Sequence, residues 1–168
     1  MLEYLGHQSP SQARFVLLEV DHAGEIAKCD IQGLGLFVCL LAWDTGVDQD
    51  AEITWLARHL RGAGCAYICC WGRGAGNVED LFDLVDIERN PEADADEILM
   101  STCHEREPLN DALWFAMFAA YPSRQQGDTR TVLALTIGSP DYAHLIRMSM
   151  SKPDEFNSRM CAQVLDSD

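Results

Sequence analysis

Three short segments carry the residue types that could do chemistry. The first, Gly72-Arg73-Gly74-Ala75-Gly76-Asn77, sits between an apolar run and an amphipathic one. A strand, a glycine turn and a capped helix together let backbone N–H groups approach a phosphate where the helix dipole favours an anion. Asn77 is the expected N-cap of that helix, and Arg73 adds a cation to the loop. The spacing is G-x-G-x-G, which is not the dinucleotide fingerprint, and no Walker lysine follows. A tight turn needing positive φ angles explains the same glycines without a ligand. The second segment, Cys103-His104-Glu105, has the ingredients of an activated nucleophile or a metal site. Adjacent residues on extended chain point opposite ways, however, so Cys103 and His104 make no dyad by adjacency. No C-x-x-C or H-x-x-x-H pair supplies further metal ligands. His104 is read as a hydrogen-bonded organiser of a strand end, and neither a catalytic residue nor a metal ligand is assigned. The third segment is Ser139-Pro140-Asp141, a capping serine followed by proline at the first helical position.

These segments share one feature: each follows an apolar run with strand character. Phe15–Val20, Leu36–Ala42, Cys65–Trp71, Glu97–Thr102 and Thr131–Ile137 read as five strands. Helix-period stripes separate them over Gln49–Arg61, Asn77–Arg89 and Pro108–Tyr121, with a further helix opening at Ser139. In the second of these helices Val78, Leu81, Phe82 and Val85 form the buried stripe, and Glu79, Asp80, Asp83 and Asp86 face water. The runs at 36–42 and 65–71 lack polar alternation, which predicts burial on both faces. Alternating strands and helices predict a three-layer α/β fold of Rossmann-like or flavodoxin-like type. The expected sheet is mostly parallel with about five strands, and the first two strands are candidates for an edge hairpin. The organisation is one domain over residues 1–168, with 1–14 as an N-terminal arm and 151–168 as a C-terminal segment. In open α/β sheets ligands bind beyond the carboxyl ends of the strands, and that edge collects all three segments together with Asp44-Thr45-Gly46.

Twelve basic residues stand against 27 acidic ones, a net charge of −15. Such a chain repels nucleic acid and anionic membranes and steers a basic partner towards itself. Seven cysteines, several inside apolar runs, read as core thiols of a reducing compartment rather than as a disulfide framework. The N-terminal residues contain no basic stretch followed by an apolar block, and the longest apolar run is too short to span a bilayer. A cytoplasmic protein is expected. The helix after Pro108 has two apolar faces. Leu109, Ala112, Leu113, Ala116, Met117 and Ala120 form one, and Trp114, Phe118 and Tyr121 form another. One face suffices to pack on a sheet. The aromatic face is either covered by the C-terminal segment through Phe156, Met160 and Val164, or exposed as an interface. Trp55 lies off its own helix's buried stripe and is a smaller candidate of the same kind.

The stretch MSTCHEREPLNDALWF, Met100 to Phe115, resembles a pattern in small uncharacterised bacterial proteins of a Rossmann-like family of unknown function. There a Thr-x-His strand end precedes a helix bearing Leu-x-x-Ala-Leu-Trp, and Gly64–Gly72 is similar to the upstream strand of the same group. The resemblance implies a bacterial origin and a Rossmann-like core, singles out Thr102, His104, Glu107 and Trp114, and implies no activity. The expectation is an acidic, non-enzymatic protein-binding module. It would be an immunity-type or regulatory partner of a basic protein, or a homodimer, without a cofactor. The alternative is a nucleotide or phosphate ligand held by Gly72, Arg73, Gly74, Gly76 and Asn77, with His104 and Ser139 at the neighbouring strand ends.

Overall fold

A computed structural model describes residues 1–8, 13–94, 97–122 and 130–165, with the side chains of residues 164 and 165 excepted. The strands are β1 (Glu3–Gln8), β2 (Ala13–Val20), β3 (Phe37–Trp43), β4 (Cys65–Trp71), β5 (Met100–Cys103) and β6 (Thr131–Ile137). The helices are α1 (Asp50–Ala63), α2 (Ala75–Arg89), α3 (Leu109–Trp114), α4 (Pro140–Met150) and α5 (Pro153–Leu165). Two 3-10 turns, Ala23–Lys28 and Gln32–Leu34, carry the chain from β2 to β3.

The sheet has six strands in the order β1-β2-β6-β3-β4-β5. All neighbours are parallel except β1 and β2. An α/β fold with a mostly parallel sheet is therefore what the alternating pattern builds, with two corrections. The hairpin-like pair does not join β2 to β3, because β6 lies between them. The antiparallel partner of β2 is instead β1, a sixth strand from within the N-terminal arm. Its sequence, EYLGHQ, is exposed or half-buried throughout, so no buried stripe betrays it.

FVCLLAW and TVLALTI are buried at every position, as continuous apolar runs should be in strands covered on both faces. One face of the sheet packs on α1, α2 and the 3-10 turns, through Ile53, Leu56, Leu60, Phe82 and Ile26. The other packs on α3, α4 and α5, through Leu113, Met117, Ile146 and Phe156. Within α2 the expected stripe is buried or half-buried, yet Asp86 does not face water. Its carboxylate is buried, pairs with Arg61 of α1 and accepts the Leu99 N–H at 2.7 Å. This pair anchors the run into β5 against the α1–α2 layer, and Leu84 and Ile87 occupy the solvent face of α2 instead.

The helix after Pro108 also departs from expectation. It is α-helical only to Trp114 and widens to a π-helical turn over Phe115–Ala119. The buried Arg130 guanidinium caps that turn, donating to the carbonyls of Ala120, at 2.7 Å, and of Met117. Among the described residues no helix is long and apolar enough to cross a membrane. All seven cysteines are unpaired, with Cys39, Cys65, Cys69 and Cys70 buried and Cys103 and Cys161 exposed.

Candidate functional site

The chain winds outward from β3 through β4 to β5, then returns to the other side of β3 as β6. The helix after β3 covers one face of the sheet and the helix after β6 covers the other. The carboxyl ends of β3 and β6 therefore diverge into helices on opposite faces. This is the switch-point crevice in which open α/β sheets bind ligands.

Here the crevice is bridged. The Tyr142 hydroxyl, on the first turn of α4, donates to Asp44 Oδ2 at 2.9 Å. That bond to a carboxylate holds the phenol pKa above its ordinary value. The Tyr142 ring meets Trp71, at the end of β4, edge to face at 4.9 Å. The Trp71 indole N–H donates to the Glu107 carbonyl at 2.8 Å. Ser139 caps α4 as expected, its Oγ accepting the Tyr142 N–H at 3.4 Å, so this hydroxyl serves the helix.

The glycine loop is a tight turn in which the Arg73, Gly74 and Ala75 N–H groups are already used. Gly72 and Gly74 have φ values of +115° and +80°, where only glycine is comfortable. A Cβ on Gly72 would sit 2.5 Å from the Trp43 carbonyl oxygen, so β3 and β4 approach too closely there for any side chain. Helix α2 begins at Ala75 with Gly74 as its N-cap, which corrects the expectation for Asn77. Asn77 lies inside the first turn and donates to Asp50 at 3.0 Å. Gly76 is also within α2, at ordinary φ. Two carboxylates of this same chain occupy the anion-ready end. Glu105 accepts the Gly74 N–H at 2.9 Å, and Asp44 accepts the Arg73 N–H at 2.7 Å. The Arg73 carbonyl in turn accepts the Thr45 N–H at 2.8 Å. Around this edge Asp44, Asp48, Asp50, Glu105, Glu107 and Asp141 are exposed, as are Arg73 and Arg106. The balance is acidic.

His104 sits at the junction of β5 and the loop to α3, only 5% exposed. Its N–H donates to the Cys70 carbonyl at 2.8 Å, continuing the β4–β5 ladder. Its ring lies 5.0 Å from Phe115, the first residue of the π-helical turn. Nδ1 is 2.7 Å from Glu107 Oε2, and Nε2 is 3.0 Å from Thr102 Oγ1. An ionised carboxylate only accepts, so Nδ1 carries a proton; in the neutral imidazole Nε2 then accepts, and the Thr102 hydroxyl donates to it. Thr102 lies opposite Cys69 in the β4–β5 ladder. Burial is the main reason that the Tyr67 phenol lies above its ordinary pKa and the Cys69 thiol is pushed up to about 12, so both stay protonated. Cys103 points elsewhere and is exposed. The signal for this cluster was the i, i+2 spacing of Thr102 and His104, which puts both on one side of an extended chain.

The aromatic face of α3 is partly covered. The Trp114 indole donates to Asn157 of α5 at 2.8 Å, and Phe118 packs 6.4 Å from both Phe15 and Phe156. Trp114 and Phe118 are half-buried, whereas Tyr121 remains 57% exposed with the Arg130 guanidinium over its ring. Phe156 and Met160 supply this cover, and the side chain of Val164 lies outside the described residues. Trp55 is 38% exposed and stacks on His59, one turn along α1. Among the described residues no group of three or more His, Cys, Asp or Glu could hold a metal ion.

The fold and its strand-end edge define an α/β protein with a self-bridged switch point. Residues 16–153 match a family model described as a domain of unknown function, DUF7684. The chain belongs to that family. No curated protein and no solved structure matches it.

Proposed function

We propose that this chain is an acidic protein-binding module, and that its switch-point edge receives cationic side chains of a basic partner. One observation carries the reading: at the end of α2 that would hold a phosphate, Glu105 and Asp44 already accept the Gly74 and Arg73 N–H groups. A phosphate there would have to displace two carboxylates and then sit beside them. A guanidinium or ammonium group meets the opposite situation. Trp71 and Tyr142 form a right-angled aromatic corner, at 86° between rings, with Asp44 hydrogen-bonded at its rim. Aromatic faces next to carboxylates attract cations, by about 0.5–2 kcal/mol per ring according to desolvation. The net charge of −15 supplies long-range steering for such a partner. An immunity-type or regulatory role suits a module of this kind.

The test is calorimetric titration with a deca-arginine peptide and, separately, with ATP and inorganic phosphate. The peptide should bind with an affinity that falls steeply as salt rises, and Asp44→Asn or Trp71→Ala should weaken it about 5- to 10-fold. ATP and phosphate should give no heat. Binding of ATP or phosphate that is lost with Gly74→Val, with no peptide binding, would replace this reading by the nucleotide or phosphate one.

A further inference from the structure

We propose that Thr102, His104 and Glu107 form an acyl-transfer site, with Thr102 as nucleophile, His104 as general base and Glu107 as the carboxylate that orients the imidazole. The substrate class is a carboxylic ester of an uncharged or cationic alcohol. The inference does not rest on the partner-binding reading.

The geometry is that of a hydroxyl–imidazole–carboxylate relay. Hydroxyl to Nε2 is 3.0 Å and Nδ1 to carboxylate is 2.7 Å, both within reach for proton transfer. The hydrogen-bond inventory fixes the tautomer, since Glu107 can only accept and so leaves Nε2 free to take the threonine proton. The imidazole is rigidly held by its backbone bond to Cys70 and by Phe115. Phe115 opens the π-helical turn, a local irregularity found frequently at functional sites. Thr102 is half-buried on β5, the outermost strand of the sheet, and Glu107 is exposed. The neighbouring thiol is not a competing nucleophile, because burial keeps Cys69 protonated.

In the reaction, the Thr102 oxygen bonds to the ester carbonyl carbon as its proton passes to His104 Nε2. The C–O bond to the alcohol then breaks, and His104 returns the proton to the departing oxygen. Water, deprotonated by His104, attacks the acyl carbon, the bond from that carbon to the Thr102 oxygen breaks, and His104 returns the proton to Thr102 as the carboxylic acid leaves. An anionic ester is disfavoured by Glu105, Glu107 and the overall charge.

The experiment uses the full chain carrying Cys103→Ala and Cys161→Ala, which removes the exposed thiols, with p-nitrophenyl acetate as probe. Stopped-flow absorbance should show a burst approaching one p-nitrophenolate per chain, and peptide mapping should find one acetyl group on Thr102. Thr102→Val, which keeps the side-chain shape, should abolish the burst, and Thr102→Ser should retain it. His104→Ala should slow acylation about 10²- to 10⁴-fold, the ordinary contribution of a general base. Absence of acetyl on Thr102 at saturating ester would overturn the proposal. So would a burst that Thr102→Val leaves intact. Should His104→Ala fail to fold, the Val and Ser variants decide the matter alone.

Discussion

Replacing Glu105 by alanine should turn the end of α2 into an anion site that the natural chain lacks. The carboxylate accepts the Gly74 N–H at 2.9 Å, at the N-cap of a 15-residue helix whose dipole points its positive end there. Loss of a capping side chain costs about 1 kcal/mol in ordinary cases, and the dipole adds about 0.3–1 kcal/mol where the charge is well placed. Glu105 is exposed, so solvent screening holds the total near about 1 kcal/mol, or about 2–4 °C in a chain of this size. The vacated donor should then take sulfate. At ten times its dissociation constant, sulfate would return about 1.4 kcal/mol, enough to offset the loss. The assay is urea unfolding of wild type and Glu105→Ala in sodium chloride and in sodium sulfate at matched ionic strength. Asp80→Ala controls for the change in net charge. Sulfate also stabilises proteins generally by exclusion from their surface, so the diagnostic quantity is the extra stabilisation of Glu105→Ala over both other proteins. Equal stabilisation of all three would show that Glu105 does not fill an anion site, and the case against a phosphate ligand would fall with it.

Asp86→Asn should be the most destabilising of the polar substitutions, by about 3 kcal/mol, because it leaves a mostly buried guanidinium without its counter-charge; chemical denaturation measures it, and a loss under 1 kcal/mol would refute the anchoring role. With an aromatic disulfide reagent at pH 8, only Cys103 and Cys161 should react fast, and all seven thiols should react in denaturant, because burial keeps Cys65 and Cys69 protonated, with pKa values of about 12. Cys29 is half-buried and should react more slowly, and rapid modification of a fourth thiol in the native protein would contradict the burial of Cys39, Cys65, Cys69 and Cys70. Glu79 has its pKa raised, first by desolvation and then by Asp83 and Asp80, against a lowering hydrogen bond from Ser101. The folded state therefore prefers the neutral carboxyl, and stability is lost as pH rises from the ordinary glutamate pKa through the raised one. Glu79→Gln should accordingly melt higher than wild type at pH 7 and lose that advantage in acid below the ordinary carboxylate range; a melting point lowered at pH 7 would reverse the sign.

The strands buried on both faces were legible because period and composition agree there: FVCLLAW and TVLALTI leave no polar face to explain. The glycine loop was legible as a turn, and positive φ at Gly72 and Gly74 is its physical content. Strand β1 was not legible, since an edge strand pairs through its backbone and EYLGHQ buries too little to show a period. Asp86 was misread because helical spacing places it beside the other acids and cannot see Arg61, 25 residues earlier. The shift from α- to π-helix at Phe115 has no composition signal, and the Arg130 that caps it at Met117 and Ala120 lies beyond any local window. At the strand end, residue types suggested Cys103 with His104, adjacency counted against that pair, and the resemblance singled out Thr102, His104 and Glu107. The chain instead pairs His104 with Thr102, two residues back, and with Glu107, three residues on in the turn that leaves the strand.

The two halves of the strand-end edge are physically joined. Glu107 contributes its side chain to His104 and its carbonyl to the Trp71 indole, and Trp71 packs on the Tyr142 that closes the switch point over Asp44. A cation drawn into the aromatic corner would press on Trp71, whose indole N–H holds the Glu107 carbonyl. Displacement of that carbonyl would move the Glu107 carboxylate beside His104, so a filled corner should alter acylation at Thr102. The coupling has a definite sign if Trp71 is the lever. Trp71→Phe keeps an aromatic wall but removes the indole donor. It should leave most cation affinity in place, while loosening Glu107 and slowing any acylation at Thr102 towards the rate of Glu107→Gln. Full acylation in Trp71→Phe, with Glu107→Gln impaired, would mean that the two halves are neighbours without communication.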